Sequence, residues 1–298
     1  MTEPELHFVD CPDARGGHRM AYWQWGDASA PHVVVCVHGL SRQGRDFDVL
    51  AQALCARSGG RLRVVCPDVA GRGRSEWLKD PSLYQIPAYA GDMLALLAQL
   101  QPGVLDWVGT SMGGLIGMVV CGQPGLPLPV PVRRLVLNDV GPAIRWEAIE
   151  RIKTYLGDTG RFDSLEAAAA AMRAVSLTFG PHTDAQWLAL SRHMVRPLDG
   201  QGGALTLHYD PAIAVPVRAT TAELSAQGEA MLWQLYDNIQ ARTLLLRGAD
   251  SDMLTPQTAA AMAQRGPRAQ VVEFTGVGHA PTLVADGQVD CVARFLLD

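Results

Sequence analysis

The stretch "DWVGTSMGG" at residues 106–114 decides how the rest of the chain is read. It closes an apolar run, sets glycines on both sides of one serine, and leads directly into "LIGMVVCG". Taken alone, Gly109-Thr110-Ser111-Met112-Gly113 fits either an ordinary Gly/Ser bend or a sharp strand-to-helix turn that lifts a nucleophilic serine above a sheet. The flanks favour the second, because a strand pattern precedes the serine and a helix pattern follows it. So tight a turn strains the backbone at the serine, and side chains at Gly109 and Gly113 would collide with neighbouring backbone. The hydroxyl would then sit at a helix N-terminus, where partial positive charge favours an oxyanion.

Working outward, "VLDWVGT" (104–110) is one of four nearly continuous apolar runs, with "HVVVCVH" (32–38), "RLRVVCPD" (61–68) and "RRLVLND" (133–139). Such runs suit strands buried on both faces, whereas "RMAYWQW" (19–25) alternates like an edge strand. Helical patterns such as "FDVLAQALCARSG" and "PAYAGDMLALLAQL" lie between them, which predicts an α/β chain with a mainly parallel sheet and crossover helices. After Asp139 strand signals stop until "ARTLLLRG" (241–248); a helix, the strand "AQVVEFTG" and the helix "ADGQVDCVARFLLD" complete the chain. Roughly a hundred residues between Asp139 and Arg242 exceed any plain connection. Within them "DSLEAAAAAMRAV", with Asp163 as cap and Glu166 three residues on, and "TDAQWLALSRHMV", with a similar cap, read as helices. The expected division is a core of residues 1–140 and 240–298 and a helical lid of residues 141–239. The lid aromatics Trp146, Tyr155, Phe162, Phe179, Trp187, Tyr209, Trp233 and Tyr236 are expected mostly in its own small core, with some walling a pocket.

Composition narrows the function. The 298 residues are 48% hydrophobic with a formal net charge of −5, enough for a sizeable core and without the clustered Lys and Arg of nucleic-acid or anionic-membrane binders. "MTEPELHFVD" has no basic start before an apolar core and no uncharged run reaches membrane-spanning length, so a cytoplasmic protein acting on a small molecule is expected. Cys11, Cys36, Cys55, Cys66, Cys121 and Cys291 show no metal-ligand spacing and read as reduced thiols. Neither a metal nor an organic cofactor is expected.

A serine hydroxyl is a weak nucleophile and needs a base within hydrogen-bond reach. Of the eight histidines, His279 in "GVGHAP" occupies a Gly-rich loop after the last strand, at the sheet edge where Ser111 emerges and where ligands bind in open α/β sheets. His38 begins "HGL", where Gly39 permits a turn that points backbone N–H groups inward; His38 is expected to hold that turn rather than act as base. The oxyanion donors would be the N–H groups of Leu40 and Met112. A carboxylate must fix the imidazole tautomer, and Asp139, Asp250 and Asp252 all follow strand patterns.

"HGL", "DVAGRGRS" (68–75), "GTSMG", the late strand-Asp loop and "GVGH" together resemble the α/β-hydrolase superfamily, over nearly the whole chain and in the order Ser, Asp, His. The resemblance implies the α/β-hydrolase fold: a mostly parallel eight-stranded sheet flanked by helices, with the helical lid inserted after strand 6. In that family the acid usually follows a glycine as Gly-x-x-Asp, but Gly248 plus three is Ser251 here. Counting back from the proline in "DMLTP" (252–256) selects Asp252, with one residue inserted before it; Asp139 is the alternative acid, because some members carry it after the earlier strand, and Asp250 comes behind both. If Asp252 is the acid, Asp139 becomes a helix-start or lid-hinge residue.

A serine rather than an aspartate nucleophile disfavours the alkyl-enzyme chemistry of dehalogenases and epoxide hydrolases of this fold. The expected activity is hydrolysis of a carboxylic ester or lactone by Ser111, Asp252 and His279, with Leu40 and Met112 holding the oxyanion. The single "HGL" turn resembles that of enzymes acting on small to medium esters. Alternatives on the same machinery are C–C hydrolysis of ring-cleavage products, for which Trp187 and Arg192 or Arg196 offer themselves, amide or peptide cleavage, and acyl transfer to an alcohol. A non-catalytic protein binding a small ligand is the alternative of another class.

Overall fold

The computed structural model describes residues 3–13, 15–198, 200 and 202–298. The first two residues of the stretch read for a leader lie outside these. Among the described residues the strands are β1 (Glu5–Cys11), β2 (His18–Trp25), β3 (His32–Val37), β4 (Leu62–Pro67), β5 (Val104–Thr110), β6 (Val132–Asn138), β7 (Val195–Pro197), β8 (Leu205–Leu207), β9 (Arg242–Gly248) and β10 (Gln270–Phe274). The helices are α1 (Asp48–Arg57), α2 (Ile86–Leu100), α3 (Met112–Gly122), α4 (Trp146–Tyr155), α5 (Leu165–Val175), α6 (Asp184–Arg192), α7 (Ala214–Ala219), α8 (Ala222–Asn238), α9 (Pro256–Met262) and α10 (Asp286–Leu297).

Eight strands form one sheet in the order β1-β2-β4-β3-β5-β6-β9-β10. β1 pairs antiparallel with β2 and β2 with β4, while the pairs from β4 through β10 are parallel. β1 was not expected: its outer face is largely exposed, and only Val9 and Cys11 are buried. The central strands carry apolar side chains to both faces. In β3, Val33, Val35 and Val37 enter the core beneath α2 and α3, whereas Val34 and Cys36 enter the core beneath α1 and α10. Each such side chain, fully buried, contributes about 1.5–3 kcal/mol relative to exposure.

α3 crosses β5 at close range. A Cβ on Gly117 would lie 2.6 Å from Trp107 Nε1, and that indole, wholly buried, donates to Gly113 O at 3.1 Å. The helix that carries the serine turn is therefore pinned to the strand that precedes it.

Between β6 and β9 the chain forms α4, α5, α6, the short hairpin β7/β8, α7 and α8. The hairpin lies where no strand signal was read, its strands being only three residues long. α5 is capped by Ser164, whose side chain accepts from Ala167 N–H, and not by Asp163; Thr183 and Gln186 form the capping box of α6. α8 returns to the core: Gly122 of α3 packs against the Leu235 backbone, and Tyr236 donates to Met262 O at 2.7 Å. The part of the insertion before α8 lies against two loops of the core. It is joined to the 68–75 loop through Asp210 N–H to Gly71 O (2.7 Å), and to the His279 loop through Gly278 N–H to Thr178 O (2.6 Å). Among the described residues no helix is long and apolar enough to cross a membrane.

Candidate active site

Ser111 is the single residue between β5 and α3 and has φ 51° and ψ −115°, a left-handed conformation that L-residues rarely adopt. The turn is tight enough that a Cβ on Gly109 would meet the Gly113 carbonyl and one on Gly113 would meet Val37 O. Strain of this kind costs about 1–3 kcal/mol and persists only where the surroundings impose it. Ser111 N–H donates to Asn138 O at 3.0 Å, which ties the turn to the neighbouring strand.

His279 lies beside it, with Nε2 3.0 Å from Ser111 Oγ. Its Nδ1 is 2.7 Å from Asp139 Oδ2. A carboxylate accepts only, so it fixes the ring proton on Nδ1 and leaves the Nε2 lone pair facing the serine hydroxyl. Asp139 is wholly buried, no Lys or Arg among the described residues pairs with it, and three donors, one of them His279, face its oxygens. Gly248 N–H donates to Oδ1 at 2.8 Å, and Ser251 Oγ donates to Oδ2 at 2.6 Å beside the imidazole.

The acid facing His279 is thus Asp139, and the expectation for Asp252 is corrected. Asp139 N–H donates to Leu246 O (2.8 Å), so β6 delivers the residue following Asn138 beside the end of β9. After Gly248 the chain turns with Ser251 N–H bonded to Gly248 O (3.0 Å), presenting Ser251 to Asp139 and carrying Asp252 outward. There Asp252 pairs with Arg151 of α4 at 2.7 Å, and Asp250 is exposed. Counting back from the proline failed because it ignored this turn. Counting on from Gly248 found the right position, which holds a serine that touches the acid.

The turn at Gly39 forms the facing wall. Arg42 N–H bonds to Gly39 O at 3.1 Å, and among the described residues neither Leu40 N–H nor Met112 N–H has a protein acceptor. His38 bridges the turn to the next loop: its ring donates from Nδ1 to Gly39 O (2.7 Å) and accepts at Nε2 from Val69 N–H (2.9 Å). Burial pushes its pKa down to about 3, so it is neutral and serves as neither acid nor base near neutrality.

The 68–75 loop braces that turn in a way the sequence did not disclose. Arg72 is wholly buried; its Nε donates to Leu40 O (2.9 Å) and its Nη1 to Ala70 O (2.6 Å) and Tyr89 OH (2.8 Å). Asp68 accepts from Gly44 N–H (2.7 Å) and Arg74 N–H (2.8 Å), yet burial still raises its pKa to about 6.

Ser111, His279 and the Gly39 turn open into a cavity of about 380 Å³ between the sheet and the insertion. Four of the insertion aromatics, Tyr155, Phe162, Phe179 and Tyr209, line it. Trp187 stacks behind Phe179 (6.1 Å between centroids), Trp146 lies against Lys153, and Trp233 and Tyr236 belong to α8. Trp187, Arg192 and Arg196 are not in the cavity wall, which removes the side chains offered for C–C cleavage. All six cysteines are free. Cys11, His18 and Asp92 cluster at the β1/β2 edge, away from this cavity, with His18 held between Asp13 (3.2 Å) and Asp92 (3.1 Å).

The profile of the Alpha/beta hydrolase family matches residues 34–290. The chain is 50% identical over 295 residues to a 3-hydroxybutyrate-oligomer hydrolase of Cupriavidus necator, covering 99% of this chain and 98% of that protein. It is 26% identical over 264 residues to an esterase of Mycobacterium tuberculosis, covering 85% of this chain and 78% of that one. Among solved structures, an alpha/beta hydrolase from Novosphingobium aromaticivorans superposes with a TM-score of 0.81 at 34% identity, covering 99% of each chain.

Proposed function

We propose, from the premise that this chain belongs to the alpha/beta hydrolase family, that it hydrolyses short linear esters of 3-hydroxybutyric acid through an acyl-enzyme on Ser111. The observation that carries this reading is the unbroken chain from Asp139 through His279 to Ser111, at 2.7 and 3.0 Å, opening into the cavity. The choice of substrate rests on the 50% identity, over nearly the full length of both chains, to a protein named for such oligomers.

His279 Nε2 takes the Ser111 proton as Oγ attacks the ester carbonyl, and Asp139 stabilises the imidazolium that forms. The oxyanion accepts from Leu40 and Met112 N–H at the start of α3. His279 then protonates the departing alkoxide, and a water deprotonated by the same nitrogen releases the acid. Arg72 and His38 act at one remove, as positioning residues for the Gly39 turn. The insertion up to α7 serves as a lid over the serine, and the cavity lies at the small end of the range for ligand sites.

The test is turnover of the 3-hydroxybutyrate dimer and trimer against p-nitrophenyl butyrate and a diacylglycerol, with wild type and Ser111→Ala. Release of 3-hydroxybutyrate that Ser111→Ala abolishes supports the reading. Turnover of p-nitrophenyl butyrate without the oligomers leaves an esterase of another substrate, and failure of a fluorophosphonate probe to label Ser111 removes the nucleophile.

A further inference from the structure

The wall of the active-site cavity holds two side chains with fixed positive charge, Arg151 and Arg42. Arg151 is half exposed and its Nε and Nη2 are both taken by Asp252, at 2.9 and 2.7 Å. Arg42 is set differently. Its side chain is only 15% exposed, and its stem lies across Gly39 from the nucleophile: a Cβ on Gly39 would be 3.7 Å from Arg42 Cγ and 3.8 Å from Ser111 Cβ. The fork is oriented from one side by Asp46, at 2.6 Å from Nε and 2.7 Å from Nη2, while Nη2 also donates to Leu190 O of α6 at 3.0 Å. Among the described residues Nη1 has no acceptor, so one nitrogen of an oriented guanidinium is uncommitted on a residue of the cavity wall.

A buried Arg/Asp pair is weak evidence of stabilisation, since a well-packed apolar pair of the same volume does as well. With Nε and both Nη2 hydrogens spent, the two N–H groups of Nη1 are left to make charge-assisted bonds to an anion such as a carboxylate. The other charged groups on the wall do not compete for such a ligand: Asp46 is engaged by Arg42 itself, and the exposed Asp158 accepts from Gly160 N–H at 3.0 Å. In a linear hydroxyacid ester the free carboxylate belongs to the terminal alcohol-side unit, three bonds from the ester oxygen that departs.

We infer that Arg42 anchors the free carboxylate of the substrate, so that hydrolysis removes 3-hydroxybutyrate units from the acid end. This rests on the ester-hydrolase reading above and adds which end is held and by which residue. The anchored carboxylate stays on the leaving unit, so the acyl-enzyme carries the remainder of the chain and the first product is the acid monomer.

The experiment compares the 3-hydroxybutyrate dimer as free acid with its methyl ester, on wild type, Arg42→Met, Arg42→Lys and, as a control for the other cation, Arg151→Gln. Wild type prefers the free acid, and Arg42→Met lowers the acid-to-ester ratio of kcat/KM by about ten- to a hundredfold, chiefly through KM. Arg42→Lys, which keeps the charge and loses the fork, retains part of the preference. A ratio that Arg42→Met leaves unmoved, or that Arg151→Gln moves instead, overturns the inference while the esterase reading stands. An equal loss on both substrates makes Arg42 a strut between the Gly39 turn and α6, which also overturns it. No turnover of the dimer in either form takes down the substrate reading and the inference with it.

Discussion

Ser251 Oγ lies 2.6 Å from Asp139 Oδ2, so the position three residues after Gly248 touches the acid without supplying it. Both positions converge on His279 because β6 and β9 are neighbours in register, and their ends present Asp139 and the 248–251 turn to the same point. The carboxylate comes from one strand and a supporting hydroxyl from the other. The work of orienting the imidazole is shared between them.

Exchanging the carboxylates separates the two candidates. Asp139→Asn removes the acceptor that fixes the Nδ1 proton and lowers kcat by about 10⁴, whereas Asp252→Asn loses only a half-exposed pair with Arg151 and leaves kcat within a fewfold of wild type. Ser251→Ala removes one of three donors to a buried charge and costs about tenfold. Steady-state kinetics on one ester decides the order, and a large loss confined to Asp252→Asn would reverse the assignment.

The strain at Ser111 can be read as stability. Ser111→Gly allows the positive φ freely and, with the turn otherwise kept, raises the unfolding free energy by about 1 kcal/mol while abolishing turnover. Ser111→Ala abolishes turnover equally but keeps the strained Cβ and gains nothing. Thermal unfolding of the two variants side by side checks this; a gain in Ser111→Ala as large as in Ser111→Gly would place the cost in the hydroxyl instead of the backbone.

How much of this was readable from the chain depends on how local each feature is. Ser111 and His279 each sit in a short segment whose strand, turn and glycine pattern is self-contained, and the central strands announce themselves because both faces are apolar. Asp139 could not be chosen over Asp252 from spacing, because the choice is made by the lateral register of two strands more than a hundred residues apart. β1 escaped notice because half of it faces solvent, and nothing in the sequence of α8 says that it packs on α3. Arg72 carries no signal of its own in the 68–75 stretch, and only folding encloses it.

That enclosure makes Arg72 sensitive. Arg72→Met leaves the carbonyls of Leu40 and Ala70 without their donor in a closed space, which costs about 1–3 kcal/mol each where water does not enter. The Gly39 turn is then held by His38 and by the Arg42 N–H bond to Gly39 O without its brace at Leu40, and loss of one oxyanion donor's alignment lowers kcat by up to about 10²–10³. Arg72→Lys can satisfy one carbonyl and not the set, so it falls between. Denaturant midpoints with kcat on the same preparations test both effects; a variant with full activity would show that the turn needs no brace.

His38 sets part of the acid limit of the fold. Burial holds its folded pKa at about 3, assisted by the charges of Arg72 and Arg42, against an unfolded value of about 6.5. Its contribution is present in full above pH 6.5 and is lost as pH falls toward 3, because the unfolded chain takes a proton there that the folded chain refuses. The slope is about 1.4 kcal/mol per pH unit. His193 and His208, each lowered to about 4 by burial and neighbouring arginines, act in the same sense but are partly open to solvent. Asp68 acts against them: its folded pKa of about 6 lies above the unfolded value, so its ionisation cost is relieved as pH falls through 6. His38→Asn cannot titrate in this range. The variant is less stable than wild type at pH 7.5, but between pH 6.5 and 5.0 it loses about 2 kcal/mol less than wild type does. Urea unfolding across that interval measures the difference, and parallel slopes for the two proteins would show that His38 is charged in the folded state.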